Sequence, residues 1–348
     1  MLSNFYTYIF FYIVIIFSTL GYGMAVCSLG NKFKISHNLG YVGLIGIFFL
    51  ILYSYISSIF IKHGIVHNSI VITFGLIFFI FFNFFFNKQE EKKEWFYFFL
   101  IFSILLVGAF IYKTHDDFPY YHFAYSYYLT QNSLLIGIGQ FNLGFRTPSS
   151  IFYLNSLFYL PIVKYFMFQM SAILIMGFSN LILLIKLKKN IDEHKINFIT
   201  YFTLLVFIFI NIFFYRIAEH GTDKSAQILV FILFIEIFLL TNFKINEKNQ
   251  ISRIYILIGL IISLKAFYVI YGVFFLAVLI YLLKIFNIKE TLKTLIFNYY
   301  FIFFTILFLV ILLTNFTNSG CLIYPVNLTC FDNIIWSIKS SEVVMLND

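Results

Sequence analysis

IYILIGLIISLKAFYVIYGVFFLAVLIYLL, residues 254–283, is a nearly unbroken apolar run interrupted by Lys265 and Gly272. A helix crosses the hydrocarbon core with about 20 apolar residues. The run is too long for one upright crossing. It predicts two short helices with a turn around 265–271, or else one long tilted helix. Eight more apolar runs satisfy the same length rule: 5–26, 39–61, 65–86, 95–112, 165–187, 196–214, 226–243 and 296–314. The segment 149–164 adds a partly embedded helix. The fold class expected is an all-α polytopic membrane protein with about ten transmembrane helices.

Composition agrees. The 348 residues are 61% hydrophobic and 11% charged, against about 25% charged in soluble domains. A soluble globular protein and a disordered chain are both excluded. The net charge of +8 does not point to nucleic acid, because the basic residues sit in short loops beside apolar runs. Fifteen of the 23 Lys and Arg fall in the alternate loops 27–38, 87–94, 186–195, 244–253 and 284–293. That set is expected to be cytoplasmic. The other set, 62–64, 113–164, 215–225, 265–271 and 315–348, is expected outside, with the N-terminus. The first apolar run lacks a basic leader and a small-residue cleavage site, so it reads as a retained span. The chain divides into a three-span segment 1–94, a membrane core 95–314 with the outer loop 113–164, and an outer segment 315–348. The last of these ends in a polar stretch with no evident stop, open to continuation.

The chemistry-bearing residues concentrate on the expected outer face. Lys113-Thr-His115-Asp116-Asp117-Phe-Pro119-Tyr-Tyr121-His122 follows a span directly. Adjacent carboxylates raise the proton affinity of one member, which suits a general base or a metal ligand. Helix capping by either Asp, with Pro119 in the first turn, is the plainer alternative. Residues 120–129 then predict an interfacial helix. The glycines of 137–144 have no strand before them and no βαβ unit around them, so they turn the loop and do not bind a nucleotide. Arg146 is placed to hold a phosphate or to snorkel at the interface. Arg216, Glu219, His220, Asp223 and Lys224 crowd the next outer loop. Together with Asp116 and Asp117, Glu219 and Asp223 would suit a divalent cation such as Mg²⁺ or Mn²⁺. Equally, the loop would form a salt-bridge cluster. Lys265 at membrane depth is a functional-site candidate by default. Glu236, also intramembrane, is expected to pair with a neighbouring helix. His63 and His67 are expected at the surface. Cys321 and Cys330 would pair in an oxidising compartment or remain free thiols.

Three of these segments carry a resemblance: Asp116-Asp117…Tyr121-His122 with the glycines and Ser149-Ser150, the 219–223 loop, and Ser319-Gly-Cys321-Leu-Ile-Tyr-Pro325…Cys330-Phe…Trp336. The pattern, from about 95 to 340, resembles a group of bacterial multi-span proteins related to the GT-C superfamily of integral-membrane glycosyltransferases. It departs in having three spans before the acidic motif, Asp-Asp where many carry Asp-Glu, and no large outer domain. The resemblance implies sugar transfer from a polyprenyl-phosphate donor to a glycan or lipid acceptor of the cell envelope, as in lipopolysaccharide or polysaccharide biosynthesis. Asp116 and Asp117 would be catalytic. His115, Tyr121, His122, Arg146, Glu219, His220, Asp223, Lys224 and Lys265 would bind substrate. Competing readings are a polysaccharide polymerase or ligase of the O-antigen type, and a transporter or flippase.

Overall fold

The computed structural model describes residues 2–30, 38–83, 91–110, 115–242 and 247–347. Lys113 and residues 31–37, 84–90 and 243–246 lie outside them. The described residues form fourteen α-helices and, apart from two isolated β-bridges, no β-strand. They are α1 (Leu2–Gly30), α2 (Leu39–Phe60), α3 (Ile65–Asn83), α4 (Glu91–Ala109), α5 (Phe123–Gln131), α6 (Ser150–Leu157), α7 (Met170–Asp192), α8 (Phe198–Phe213), α9 (Asp223–Asn242), α10 (Glu247–Leu264), α11 (Phe274–Ile285), α12 (Ile288–Ile296), α13 (Tyr299–Ser319) and α14 (Ser340–Asn347). Seven stretches among the described residues are long and apolar enough to cross a membrane: 5–29, 39–60, 65–83, 165–192, 223–241, 266–285 and 299–319. Two shorter apolar helices, 198–213 and 249–264, accompany them.

α2 is the axis of the bundle. It packs against α1, α4, α6, α7, α10 and α13, and only Ile56 and Phe60 along it are exposed. Between apolar helices in lipid, close packing and hydrogen bonds hold the structure, since water exclusion gives nothing there. The α1–α3 contact shows how. Gly21 and Gly75 let the two backbones touch, and any Cβ at either position would overlap the facing helix. The Tyr22 hydroxyl then donates to the Val71 carbonyl at 2.7 Å. Outward faces stay apolar, as at Val66, Ile70, Phe74 and Ile77 of α3.

The 254–283 run does break. Lys265 is extended between α10 and a 3-10 helix, Ala266–Val273. Tyr255 and Phe275 nevertheless touch, with ring centroids 5.3 Å apart. Twenty residues of continuous helix would separate them by about 30 Å, so the chain reverses here. Of the helix expected over 149–164 only the first half forms, as α6, whose residues are all buried; 158–164 is a turn closed by the Leu160–Lys164 bridge. The 284–293 segment, expected as a plain loop, is largely α12. Ile288, Leu292 and Ile296, four apart, give it one apolar face.

The two sets of loops gather at opposite ends. At one end the His63 N–H donates to Leu129 O, His115 N–H to Ala218 O and Gly137 N–H to Thr317 O, while Lys265 reaches Asp223. At the other end Leu39 N–H donates to Glu94 (3.0 Å), Lys186 and Arg253 meet Glu236, and Asn298 bonds Ser252. We call these the histidine end and the lysine end.

His63 corrects the surface expectation. It is fully buried, its two ring nitrogens bonded to Ser57 (2.9 Å) and Ser156 (2.6 Å). It stacks on His67, which bonds Tyr53 and Asn68. Partners contributed by α2 and α6 make a neutral imidazole acceptable in the interior.

Candidate functional site at the histidine end

Asp117 opens a single π-helical turn, Phe118–His122, with Pro119 inside it. Such turns are rare and concentrate at functional sites. Asp117 stands where a cap would, yet its side chain makes no capping bond. Its Oδ2 instead accepts the Tyr121 hydroxyl at 3.0 Å, and its own N–H donates to His115 Nδ1 at 3.1 Å. Burial, then the carboxylate beside it, push the Tyr121 phenol pKa up. Asp116 is exposed.

His115 and His122 stack with centroids 5.6 Å apart. His122 is 5% exposed, and its Nε2 is sealed without a hydrogen-bond partner. Burial, then His115, lower its pKa to about 4. Against the edges of both rings lies Gly221, at φ +50°. A side chain at 221 would be strained by the left-handed backbone and would press on both imidazoles. This glycine carries the 215–222 loop onto the acidic motif.

Two residues on, Asp223 begins α9. A carboxylate suits that position, where the helix dipole is positive. Lys265 Nζ lies 3.1 Å from both its oxygens, and the Tyr268 hydroxyl donates to Oδ1 at 3.0 Å. With three residues per 3-10 turn, positions 265 and 268 share one side. The two walls share one electrostatic field: Asp117, Asp223 and Lys265 all act on His122.

Other sequence candidates are engaged differently. Glu219 takes Arg216 (3.1 Å) on one oxygen and Lys224 (3.3 Å) on the other, which is the salt-bridge alternative. His220 is buried and donates Nε2–H to Phe214 O at 2.6 Å, leaving Nδ1 sealed without a partner. Burial lowers its pKa to about 4. Among the described residues no three His, Cys, Asp or Glu side chains are arranged to hold a metal ion. The set Asp116, Asp117, Glu219 and Asp223 does not fit one, because Glu219 and Asp223 are occupied by cations.

Arg146 is not open to a phosphate. It is 6% exposed, and each of its three guanidinium nitrogens is bonded within the protein. Nε donates to Gly139 O (3.0 Å), Nη1 to the Tyr324 hydroxyl (3.2 Å) and Nη2 to Glu342 (2.6 Å). It clamps the 137–146 loop to the C-terminal segment, where Cys321 and Cys330 form a disulfide. Asn318 adds bonds to Tyr125 (2.7 Å) and Phe145 O. Tyr268 escaped the sequence reading. Its signal was its place three residues after Lys265.

Residues 6–346 match the model of a family described as a domain of unknown function, DUF8201. No curated protein and no solved structure matches the chain.

Proposed function

This chain belongs to the DUF8201 family, and we propose that it is a membrane glycosyltransferase. It would move a sugar from a polyprenyl-phosphate donor to a glycan or lipid acceptor of the cell envelope. The reading takes the GT-C-like arrangement of about ten spans in the cytoplasmic membrane, with the N-terminus and the histidine end outside. One observation carries it. Asp117, Tyr121, His115 and His122 from one loop meet Asp223, Lys265 and Tyr268 from two others at a single end of the bundle.

The required chemistry matches those groups. Asp117 accepts the proton of the acceptor hydroxyl as its oxygen bonds to the anomeric carbon. The carbon–oxygen bond to phosphate breaks, its electron pair leaving with the phosphate. Lys265 supplies positive charge to that leaving group. Asp223 holds Lys265 in place meanwhile. Arg146 serves as the clamp described above. The transporter reading finds less support: Glu236 is bound to cations at the lysine end, about 20 Å of helix away from Asp223.

The test is a mass profile of envelope glycans in a deletion strain restored with wild type, Asp117→Asn or Lys265→Gln, each shown to reach the membrane equally. We expect a missing sugar unit restored by wild type alone. Full restoration by Asp117→Asn would remove the base from the scheme, and a deletion without any glycan change would remove the scheme.

A further inference from the structure

α12, at the lysine end, plays no part in that reaction. Asn287 caps it, accepting from Glu290 N–H. One side faces the protein: Thr291 is buried, and Leu295 O accepts the Tyr255 hydroxyl at 3.4 Å. On another side Ile288, Leu292 and Ile296 are 69%, 46% and 47% exposed, followed by Phe297 at 82%. Beside this stripe Lys289 and Lys293 are exposed, next to Lys284 in the last turn of α11. Five other basic residues at this end have carboxylate partners. Lys186 and Arg253 meet Glu236, Lys188 meets Asp192, and Lys189 and Lys195 meet Glu193. Among the described residues no carboxylate lies within ion-pair distance of Lys284, Lys289 or Lys293.

We propose that α12 is a binding site for anionic lipid headgroups. The helix joins two stretches long enough to cross a membrane, 266–285 and 299–319, so it sits where spans end. Nine residues rise only about 13 Å, too short to cross. An apolar stripe flanked by lysines is the pattern of a helix lying in the interface plane. Ile288, Leu292, Ile296 and Phe297 enter the acyl region, and the three unpaired lysines take lipid phosphates as counter-charges. Each lysine near such a surface adds to the attraction.

The test uses the full chain carrying Leu292→Cys labelled with an environment-sensitive fluorophore. Cys27 is buried and the other two cysteines are joined, so the label has one site. The protein is placed in vesicles of phosphatidylcholine with a minor fraction of phosphatidylglycerol. Quenching bromine is carried on one lipid or on the other at equal mole fraction. We expect quenching by brominated phosphatidylglycerol to be stronger by at least about twofold. The triple variant Lys284→Gln, Lys289→Gln, Lys293→Gln should equalise the two, and Lys188→Gln, a paired lysine at the same end, should not. Equal quenching of the native protein by both lipids would overturn the proposal. So would no quenching by either, which would place the stripe against protein, a second copy included.

Discussion

Two acid–base clusters occupy opposite ends of the bundle and use the same residue types differently. At the lysine end Glu236 is 0% exposed; Lys186 and the Tyr41 hydroxyl bond one oxygen and Arg253 lies 3.6 Å from the other. At the histidine end the Asp223 and Lys265 side chains are 42% and 44% exposed. The first cluster ties α2, α7, α9 and α10 together and has no face left for a ligand. The second keeps an ammonium and a carboxylate within reach of solvent, beside the Asp117 carboxylate and a sealed, unpaired His122 nitrogen. Burial, more than residue type, separates a staple from a candidate site.

That contrast can be broken by experiment. Asp117→Asn should lower transfer by roughly 10²–10⁴-fold with the unfolding temperature nearly unchanged, as read by glycan profile and by thermal unfolding in detergent. Glu236→Ala should do the opposite. Leaving Lys186 and Arg253 without their carboxylate should cost about 3–5 kcal/mol of stability, while any folded fraction keeps full activity. If Glu236→Ala abolished transfer without destabilising the fold, the division into staple and site would be wrong.

Acid titration sharpens the comparison next. Burial lowers His63 to about 3, and His122 and His220 to about 4, from the ordinary 6.5. Between those values the unfolded chain binds protons that the native chain does not. Stability is therefore expected to fall as pH drops from 6.5 toward 4, by an amount on the order of a few kcal/mol. Unfolding temperatures across that window test it, and His220→Gln should flatten the slope. Gly221→Ala should cost about 1–2 kcal/mol through left-handed strain and should also reduce transfer, by pushing on His115 and His122. The smallest effect belongs to Asp116→Asn. Its exposed carboxylate predicts a change within about 0.5 kcal/mol and normal glycans in the complemented strain.

Much of this arrangement could be read before the fold was known. Apolar lengths located the helices, because span length is set by the bilayer. The partition of lysines into alternate loops separated the two ends. The break at Lys265 followed from a run too long for one crossing. Asp117, Asp223 and Lys265 stood out as charges beside or within apolar sequence. What escaped depended on partners distant in the chain. Arg146 looked like a phosphate ligand because Glu342, which occupies it, is 196 residues away. His63 looked exposed because Ser156, which satisfies it, is 93 residues away. Tyr268 was one tyrosine among 26 until the 3-10 turn aligned it with Lys265. α12 was masked by its lysines, which disguised a short amphipathic helix as a loop.

The central position of α2 also has a consequence for biosynthesis. α7 begins about 110 residues after α2 ends. At ribosomal speeds of roughly 5–20 residues per second, α2 waits about 5–20 s before α7 emerges, and longer for α10 and α13. A helix without charged residues can spend that interval in lipid. Glu236 could not wait so long. Lys186 and Tyr41 precede it in the chain, and Arg253 follows within 17 residues, about 1–3 s later. The order of translation shelters the buried charge and leaves only hydrocarbon-compatible surface to queue.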